Sequence, residues 1–418
     1  MFKNLRLILL LNSLILLSKP CFAVTEFVST INKTGEDYNT LALWEAAMDN
    51  AGDITNANCK VFSHGGITGA MPDAGTVTGQ ISGATGVIIH TTATQILIDT
   101  IAVSTFQSGE DVCDDSPTCA NKVTLSNTGD AAIITAHIYN DEGDLDGGTT
   151  LDGLTTSATQ YWHITSPVGE RHQGIVGAGA TITNSADNND ITNTDANTLI
   201  DWLEFDGSGH ATSRRHILGS LAADIHHNLF YNNGACNTGA ACGVEISAGT
   251  WNVSNNLFNN MGGSSERAFG NSGGVGNYVN NTVFDTDIAV YDGGGTSYVY
   301  NNFIDDNGAD GDALGSCDGG SNNSTNDTTS TAAGCASGAV VNVEMDSIVV
   351  AISSNFHLLS TATSVIDDGF DLTTTYSSNF DIDNYDRDAG GVTWDIGFDE
   401  FIPSATQSVG RRRIIGIN

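Results

Sequence analysis

In the second half of the chain, short apolar pairs bracketed by asparagine recur as HHNLFYNN, NNLFNN, NNTVFDT and NNFIDDN, with the aligned asparagines at Asn228, Asn256, Asn281 and Asn302. These positions are 28, 25 and 21 residues apart. Self-similarity at a period of roughly 20 to 30 residues denotes stacked structural units rather than a single closed core. Between the asparagines stand β-branched and aromatic residues such as Val253, Val283, Phe284, Tyr298 and Ile304, interrupted every few positions by Gly and Asn. No stretch within 199–310 sustains the 3.6-residue apolar periodicity over about ten residues that a helix requires. Short strands and tight turns at one rung per period predict an all-β solenoid, a single-stranded parallel β-helix. Two roles are open for the leading asparagine. Stacked in register, its side chain can hydrogen-bond along the axis and so be satisfied while buried, or it can serve the left-handed turn conformation that Asn tolerates. Both lead to the same fold.

The rest of the chain divides around this array. Asp37-Tyr38-Asn39-Thr40 leads into Leu41–Met48, the one convincing helical stretch, with Asn39 or Thr40 as N-cap and Leu41, Trp44 and Met48 facing inward. A β-helix ends in an open layer of unpaired backbone, so residues 24–85, with this helix near 40–49, are expected to form its N-terminal cap region. The β-helix itself is placed at 86–345. Gly86–His90, Ile96–Ile98 and Ala131–Thr135 are read as early, less regular rungs, and Ile200–Phe205 opens the regular array. Residues 346–402 differ in pattern and are taken as a C-terminal closing segment, followed by a basic tail, 403–418, carrying Arg411, Arg412 and Arg413. At the other end, Lys3 and Arg6 precede an apolar run from Leu7 to Leu17 and the small residue Ala23. That pattern predicts a signal peptide over 1–23 and an exported, extracellular or cell-surface protein. Pro20 stands against reading Cys21 as a lipid-modified cysteine, and no later run reaches the roughly 18 apolar residues of a membrane span.

Charge narrows the partners. Acidic residues outnumber basic ones 49 to 14, a formal charge of −35, which argues against nucleic acid because phosphate binding needs a basic face. The acids are spread over the whole chain, as suits solubility in a saline or calcium-containing exterior. Of eight cysteines, six form close pairs across loop-like stretches: Cys113 with Cys119, Cys236 with Cys242, and Cys317 with Cys335. In an oxidising compartment these are expected disulfides; Cys21 leaves with the signal peptide and Cys59 is left over. Calcium is a candidate ligand where carboxylates crowd a Gly-bent loop. Such loops hold Asp141, Asp144 and Asp146; Asp305, Asp306, Asp310 and Asp312; and Asp381, Asp383, Asp386 and Asp388.

The C-terminal block carries a resemblance. Leu358, Ser364, Ile366, Asp367 and Gly369, followed by Asp381, Asp383, Arg387, Gly391, Asp395, Ile396, Gly397 and Glu400, resemble the closing segment of bacterial surface proteins of the right-handed parallel β-helix class, the choice-of-anchor type. Phe398 departs from that pattern, where a small residue is usual. DYNTLALWEAA and TTLDGLTTSATQYWHITSPVGERHQG upstream are similar to a leading region shared by β-helix proteins of bacteria and phage particles. The resemblance implies a right-handed coil and a surface location; it implies little about activity.

Catalytic chemistry concentrates in HATSRRHILGSLAADIHH, which brings His210, Arg214, Arg215, His216, His226 and His227 onto about one coil. A lyase acting on acidic sugars needs a base and a cation to stabilise the carbanion-like state, and this stretch supplies both residue types. A hydrolase would need carboxylates on neighbouring coils, for which Asp201, Glu204, Asp285, Asp305 and Asp306 are the candidates. Neither arrangement amounts to a recognisable catalytic motif. The expectation is therefore a non-catalytic surface protein that binds a polysaccharide or other surface structure along its side. A polysaccharide lyase or glycoside hydrolase is the alternative, and a structural fibre or particle component the third.

Overall fold

A computed structural model describes residues 23–101, 104–114, 118–140, 143–184, 188–209, 215–233, 241–261, 267–305, 314–327, 334–335, 338–352, 354–372, 379–388 and 393–402. The expected signal peptide, 1–23, apart from Ala23, the basic tail, and Asp141, His210, Arg214, Cys236, Asp306, Asp310 and Asp312 lie outside the described residues. Two compact units are present, one comprising Asp53–Ile133 with the segment up to Phe27, the other Val28–Gly52 with Ile134 onward.

The second unit is a parallel β-helix. Six successive coils each place a strand in three parallel sheets, as in Thr198–Asp201, Glu204–Asp206 and Ile217–Gly219, then Ala223–His226, Leu229–Tyr231 and Ala241–Ile246. Register between coils is held residue by residue: Ile164, Ile200, Ile225, Val253, Tyr278 and Val299 align in the first sheet and are all fully buried. In the second sheet Phe205, Phe230 and Phe258 stack face to face at 4.8 and 4.6 Å between centroids. Each such side chain removed from water contributes about 1.5–3 kcal/mol, and no single closed core is needed because each coil buries its face on the next.

Both readings of the asparagines hold, at adjacent positions. The first residue of each corner, His227, Asn255, Asn280, Asn301 or Asn322, takes a left-handed conformation with φ of 52–55°, which Asn tolerates. The second turns inward and forms the ladder. The Nδ2 atoms of Asn228, Asn256, Asn281 and Asn302 donate to the Oδ1 of the next asparagine at 3.1, 3.1, 3.0 and 3.2 Å, ending on Asn323. Each Oδ1 also accepts the backbone N–H of the preceding ladder residue, at 3.0, 3.0, 2.9 and 3.1 Å. The amides are buried, yet their donors and acceptors are engaged.

The helix Leu41–Met48 belongs to this unit. Thr40 is its N-cap, accepting from the Leu43 N–H at 3.2 Å. Leu41, Trp44 and Met48 are buried as expected, and Trp44 packs edge-on against Trp162 at 4.9 Å. The closing segment lays Met345, Ile348, Phe356, Val365, Ile382, Ile396 and Phe398 against Leu229, Leu257 and Phe303, covering the outer face of the second sheet. Its polar pattern is equally structural. Arg387, with no exposed surface, donates to Glu400 Oε2 at 2.9 Å, to the Gly397 carbonyl at 3.0 Å and to Asn255 Oδ1 at 3.4 Å. Asp381 accepts the N–H groups of Asp383, Tyr385 and Glu400, and Asp395 those of Asp367 and Phe401. Phe398, the departure from the family pattern, buries its ring in the apolar cluster and donates its N–H to Thr282 Oγ1.

The first unit corrects the expected early rungs. Cys59–Thr68, Thr76–Gly79, Thr85–Thr91, Gln95–Thr100, Asp111–Asp114 and Lys122–Leu125 close an antiparallel barrel. Gly86–His90 and Ile96–Ile98 are therefore barrel strands, paired with each other, while Ala131–Thr135 does enter the parallel sheet within Ala131–Ile138. The barrel interior holds Phe62, Val77, Ile88, Ile98, Phe106 and Val123. Cys113 and Cys119 form a disulfide with Cα atoms 5.1 Å apart, as do Cys317 and Cys335 at 6.1 Å. Cys242 is buried, and Cys59 is a buried free thiol. Among the described residues no helix is long and apolar enough to cross a membrane.

Ladder and corner positions should respond differently to substitution. Asn256→Ala strands buried donors and acceptors on Asn228 and Asn281 and is expected to cost about 2–4 kcal/mol in chemical denaturation. Asn280→Gly keeps a left-handed corner and should stay within about 1 kcal/mol of the parent; equal losses at the two sites would contradict the division of roles.

Candidate functional site

The closing segment covers the second sheet and, through Leu372 and Trp394 packed on Val279, reaches the outer face of the first, where Asp201, Ser254 and Val279 are buried while Leu199, Asp224 and Asn252 are partly or fully exposed. Register places Leu199, Asp224, Asn252, Asn277 and Tyr298 in one column and Asp201, His226, Ser254, Val279 and Tyr300 in the next. Asn252 donates to Asp224 Oδ1 at 2.6 Å, and Asn277 donates to Asn252 Oδ1 at 2.9 Å, so an outward amide ladder runs beside the buried one. A groove of about 330 Å³ opens here, lined by Tyr161, Asn197, Leu199, Asp224, Thr250 and Asn252 among others.

The second column begins a polar cluster. His163 Nε2 donates to Asp201 Oδ1 at 3.2 Å, and His226 Nδ1 lies 3.9 Å from Asp201 Oδ2. Burial alone would raise the Asp201 carboxyl, but the hydrogen bond from His163 and the neighbouring imidazoles outweigh it and hold the group below its ordinary range. At the corner, His227 stacks on Trp202 at 4.4 Å, and Arg171 lies over the same indole at 4.3 Å. His227 Nε2 donates to the Phe380 carbonyl at 3.1 Å, which leaves its Nδ1 as the acceptor. The contact of 2.9 Å between the Nδ1 atoms of His226 and His227 is then made by the His226 proton. That fixes the His226 tautomer with a lone pair on Nε2, on a ring whose side chain is 26% exposed. Burial lowers the pKa of His226 and pushes that of His227 well down. His172, fully buried, donates from Nε2 to the His227 carbonyl at 2.8 Å and accepts the Gly174 N–H at Nδ1; burial takes it down to about 4.

The residues expected to share one flank are thus separated. His226 and His227 lie at this corner. His216 points into the core, 2.6 Å from Asp190 with both side chains fully buried, and packs on Phe205 and Phe230. Arg215 forms an ion pair with Glu245 of the third sheet. Arg215 and His216 immediately precede the strand Ile217–Gly219, and there the first reaches Glu245 while the second turns in to Asp190. The cluster is completed instead by His163, Arg171, His172 and Trp202. Their signal was present as the histidines and arginine of WHITSPVGERHQ, but which of them meets His226 depends on coil register.

Of the carboxylates considered for hydrolysis, Glu204 is buried and accepts the N–H groups of Gly177 and Gly179, and Asp285 occupies a left-handed corner. Asp305 is buried, with Asn326 and Met345 as donors to its two oxygens. Asp144 and Asp146 are exposed. Among the described residues, His357 with Asp383 and Asp399, and Glu45 with Asp49 and Asp152, bring three ligand-type atoms within 4.8 Å of one another. Around His357, burial opposes protonation, but the hydrogen bond that its Nε2 donates to Asp383 and the charges of Asp399, Asp383 and Asp381 prevail and raise it to about 9.

The fold and this face define a parallel β-helix protein with a polar, ladder-bearing side. Comparison with protein-family models, with curated proteins and with solved structures returns no match to the chain.

The buried imidazoles make the corner acid-sensitive. With the folded pKa of His172 near 4 and an unfolded value of about 6.5, the unfolded chain binds more protons between these limits, and stability falls as pH drops through them. His172→Phe should lose about 2–4 kcal/mol at pH 8, through the unpaired Gly174 N–H and His227 carbonyl. That deficit should narrow by roughly 2 kcal/mol at pH 5, where the parent carries its own penalty; a deficit constant across pH would show that His172 is not held neutral.

Proposed function

We propose that the protein is exported and binds a polysaccharide along the outer face of the first sheet, without catalysis. The observation that carries this reading is the column of exposed Asp224, half-buried Asn252 and buried Asn277, linked side chain to side chain and flanked by Tyr161, Leu199 and Tyr298. Strands of a β-helix repeat at about 4.8 Å, so across Asp224, Asn252 and Asn277 short polar side chains recur at a spacing close to the length of one sugar residue. Carboxylate and amide groups match sugar hydroxyls, and the tyrosine rings match the apolar faces of the sugars. The surface is long and shallow, which suits an extended polymer better than a small molecule.

The resemblance of residues 346–402 to the closing segment of choice-of-anchor surface proteins supports a place at the cell surface. The residues behind that resemblance, Asp381, Arg387, Asp395 and Glu400, are all buried and bonded to one another or to backbone. They serve architecture, so recognition falls to the open face. Catalysis as a lyase is the competing reading, favoured only by the lone pair on His226 Nε2 beside Asp201.

A panel of neutral and acidic polysaccharides, incubated with and without calcium, separates these readings. Saturable retention without new reducing ends or unsaturated products is expected. Tyr161→Ala and Asn252→Ala should each weaken binding about tenfold, or about 1.4 kcal/mol, with an unchanged circular dichroism spectrum. Product formation would replace the binding reading with the enzymatic one, and ordered self-assembly without retention would favour a structural component.

A further inference from the structure

Arg171 is out of keeping with its surroundings. In a chain of net charge −35, the other described arginines are engaged: Arg215 with Glu245, Arg387 with Glu400, and Arg267 over the Tyr291 ring. Arg171 is partly buried against Trp202, with its Nε donating to the Ser166 carbonyl at 3.2 Å. No carboxylate among the described residues lies within ion-pairing distance of it. Burial disfavours its charge, and the charge of Asp201 offsets this only in part. Desolvating a guanidinium without a paired carboxylate costs free energy that a fold does not need to spend, and a guanidinium held over an indole and tethered through its Nε keeps its remaining N–H donors for another partner.

Its neighbours continue the pattern. Arg171 lies over the indole of Trp202, the chain neighbour of Asp201, and the imidazole stacked on that indole, His227, is the chain neighbour of His226; Asp201 and His226 are partners in the register of the first sheet. Asp201 is occupied by His163. Neutral His226 offers its Nε2 lone pair as a hydrogen-bond acceptor. Asp224 precedes His226 by two residues on the same strand and the same side, so this corner continues directly from the groove of Tyr161, Leu199 and Asn252.

We propose that Arg171 and His226 form a subsite for an anionic sugar, in which the guanidinium takes a carboxylate or sulfate ester and His226 Nε2 accepts from a neighbouring hydroxyl. The inference rests on the reading of the adjoining face as a glycan surface and names the chemical class of glycan it selects. A planar fork suits a two-oxygen acid group better than a point charge does. Against the repulsion of a chain of net charge −35, and of Asp201 and Asp224 at this corner, Arg171 supplies the attraction that fixes where the acid group sits.

Calorimetric titration with three oligosaccharides of one backbone, neutral, uronate-bearing and sulfated, tests this. The acidic ligands are expected to bind at least tenfold more tightly than the neutral one. Arg171→Gln should erase that preference while leaving neutral-ligand affinity unchanged, a readout that a folding defect cannot mimic. Arg171→Lys should restore it only in part, and His226→Phe should weaken all acidic ligands severalfold. If the neutral ligand binds and the acidic ones bind no better, or if Arg171→Gln leaves the preference intact, the subsite is refuted while the glycan surface stands. If none of the three binds, both readings fall.

Discussion

The buried asparagine ladder is the interaction on which the rest of the β-helix depends. Each amide bonds both to the next side chain and to backbone, so Asn228, Asn256, Asn281, Asn302 and Asn323 fix one coil against another at a single corner. A slip of one residue would turn every side chain of a rung to the opposite face. It would strand amides that are costly to leave unpaired in a low-dielectric interior. The same register carries outward. Asp224, Asn252 and Asn277 form their external ladder because the internal one has aligned their strands.

The closing segment then decides which face remains available. It places an apolar cluster on the second sheet and pins itself to the corner through Arg387 and Asn255. The acids around Arg387 are held against burial: Asp395 and Asp399 are raised to about 6 and Glu400 to about 7, with burial the leading cause and the Arg387 charge partly offsetting it. Such a network is expensive to form and costly to break once formed. That accounts for its compact sequence pattern without invoking a catalytic role. Phe398 fits the same logic, since an aromatic ring in place of a small residue adds to the cluster under Phe303 and Leu257.

Much of this was legible in the chain, and the reasons for the exceptions are physical. Periodicity revealed the coils, and the capping chemistry of Thr40 marked the helix, because both signals are local. The barrel was missed because Gly86–His90 and Ile96–Ile98 look the same whether paired parallel to a distant coil or antiparallel to each other. Only non-local pairing distinguishes the two. The His/Arg stretch was legible as chemistry but not as geometry. Arg215 and His216, just before the strand Ile217–Gly219, diverge to Glu245 and Asp190, whereas His226 meets His163 and Asp201 from two earlier coils. Arg171 stood in the segment WHITSPVGERHQ, but its standing as a partly buried cation emerges only beside Trp202.

The central claim is that ligands are recognised on the outer face of the first sheet. Hydrogen–deuterium exchange with and without a saturating acidic oligosaccharide tests it most directly, since bound ligand slows exchange where it covers or rigidifies backbone. The account predicts added protection in peptides spanning 161–172, 197–203, 222–227 and 250–254, with the barrel strands of 59–125 unchanged. Protection confined to the barrel, or to the third sheet, while the ligand is bound would contradict it.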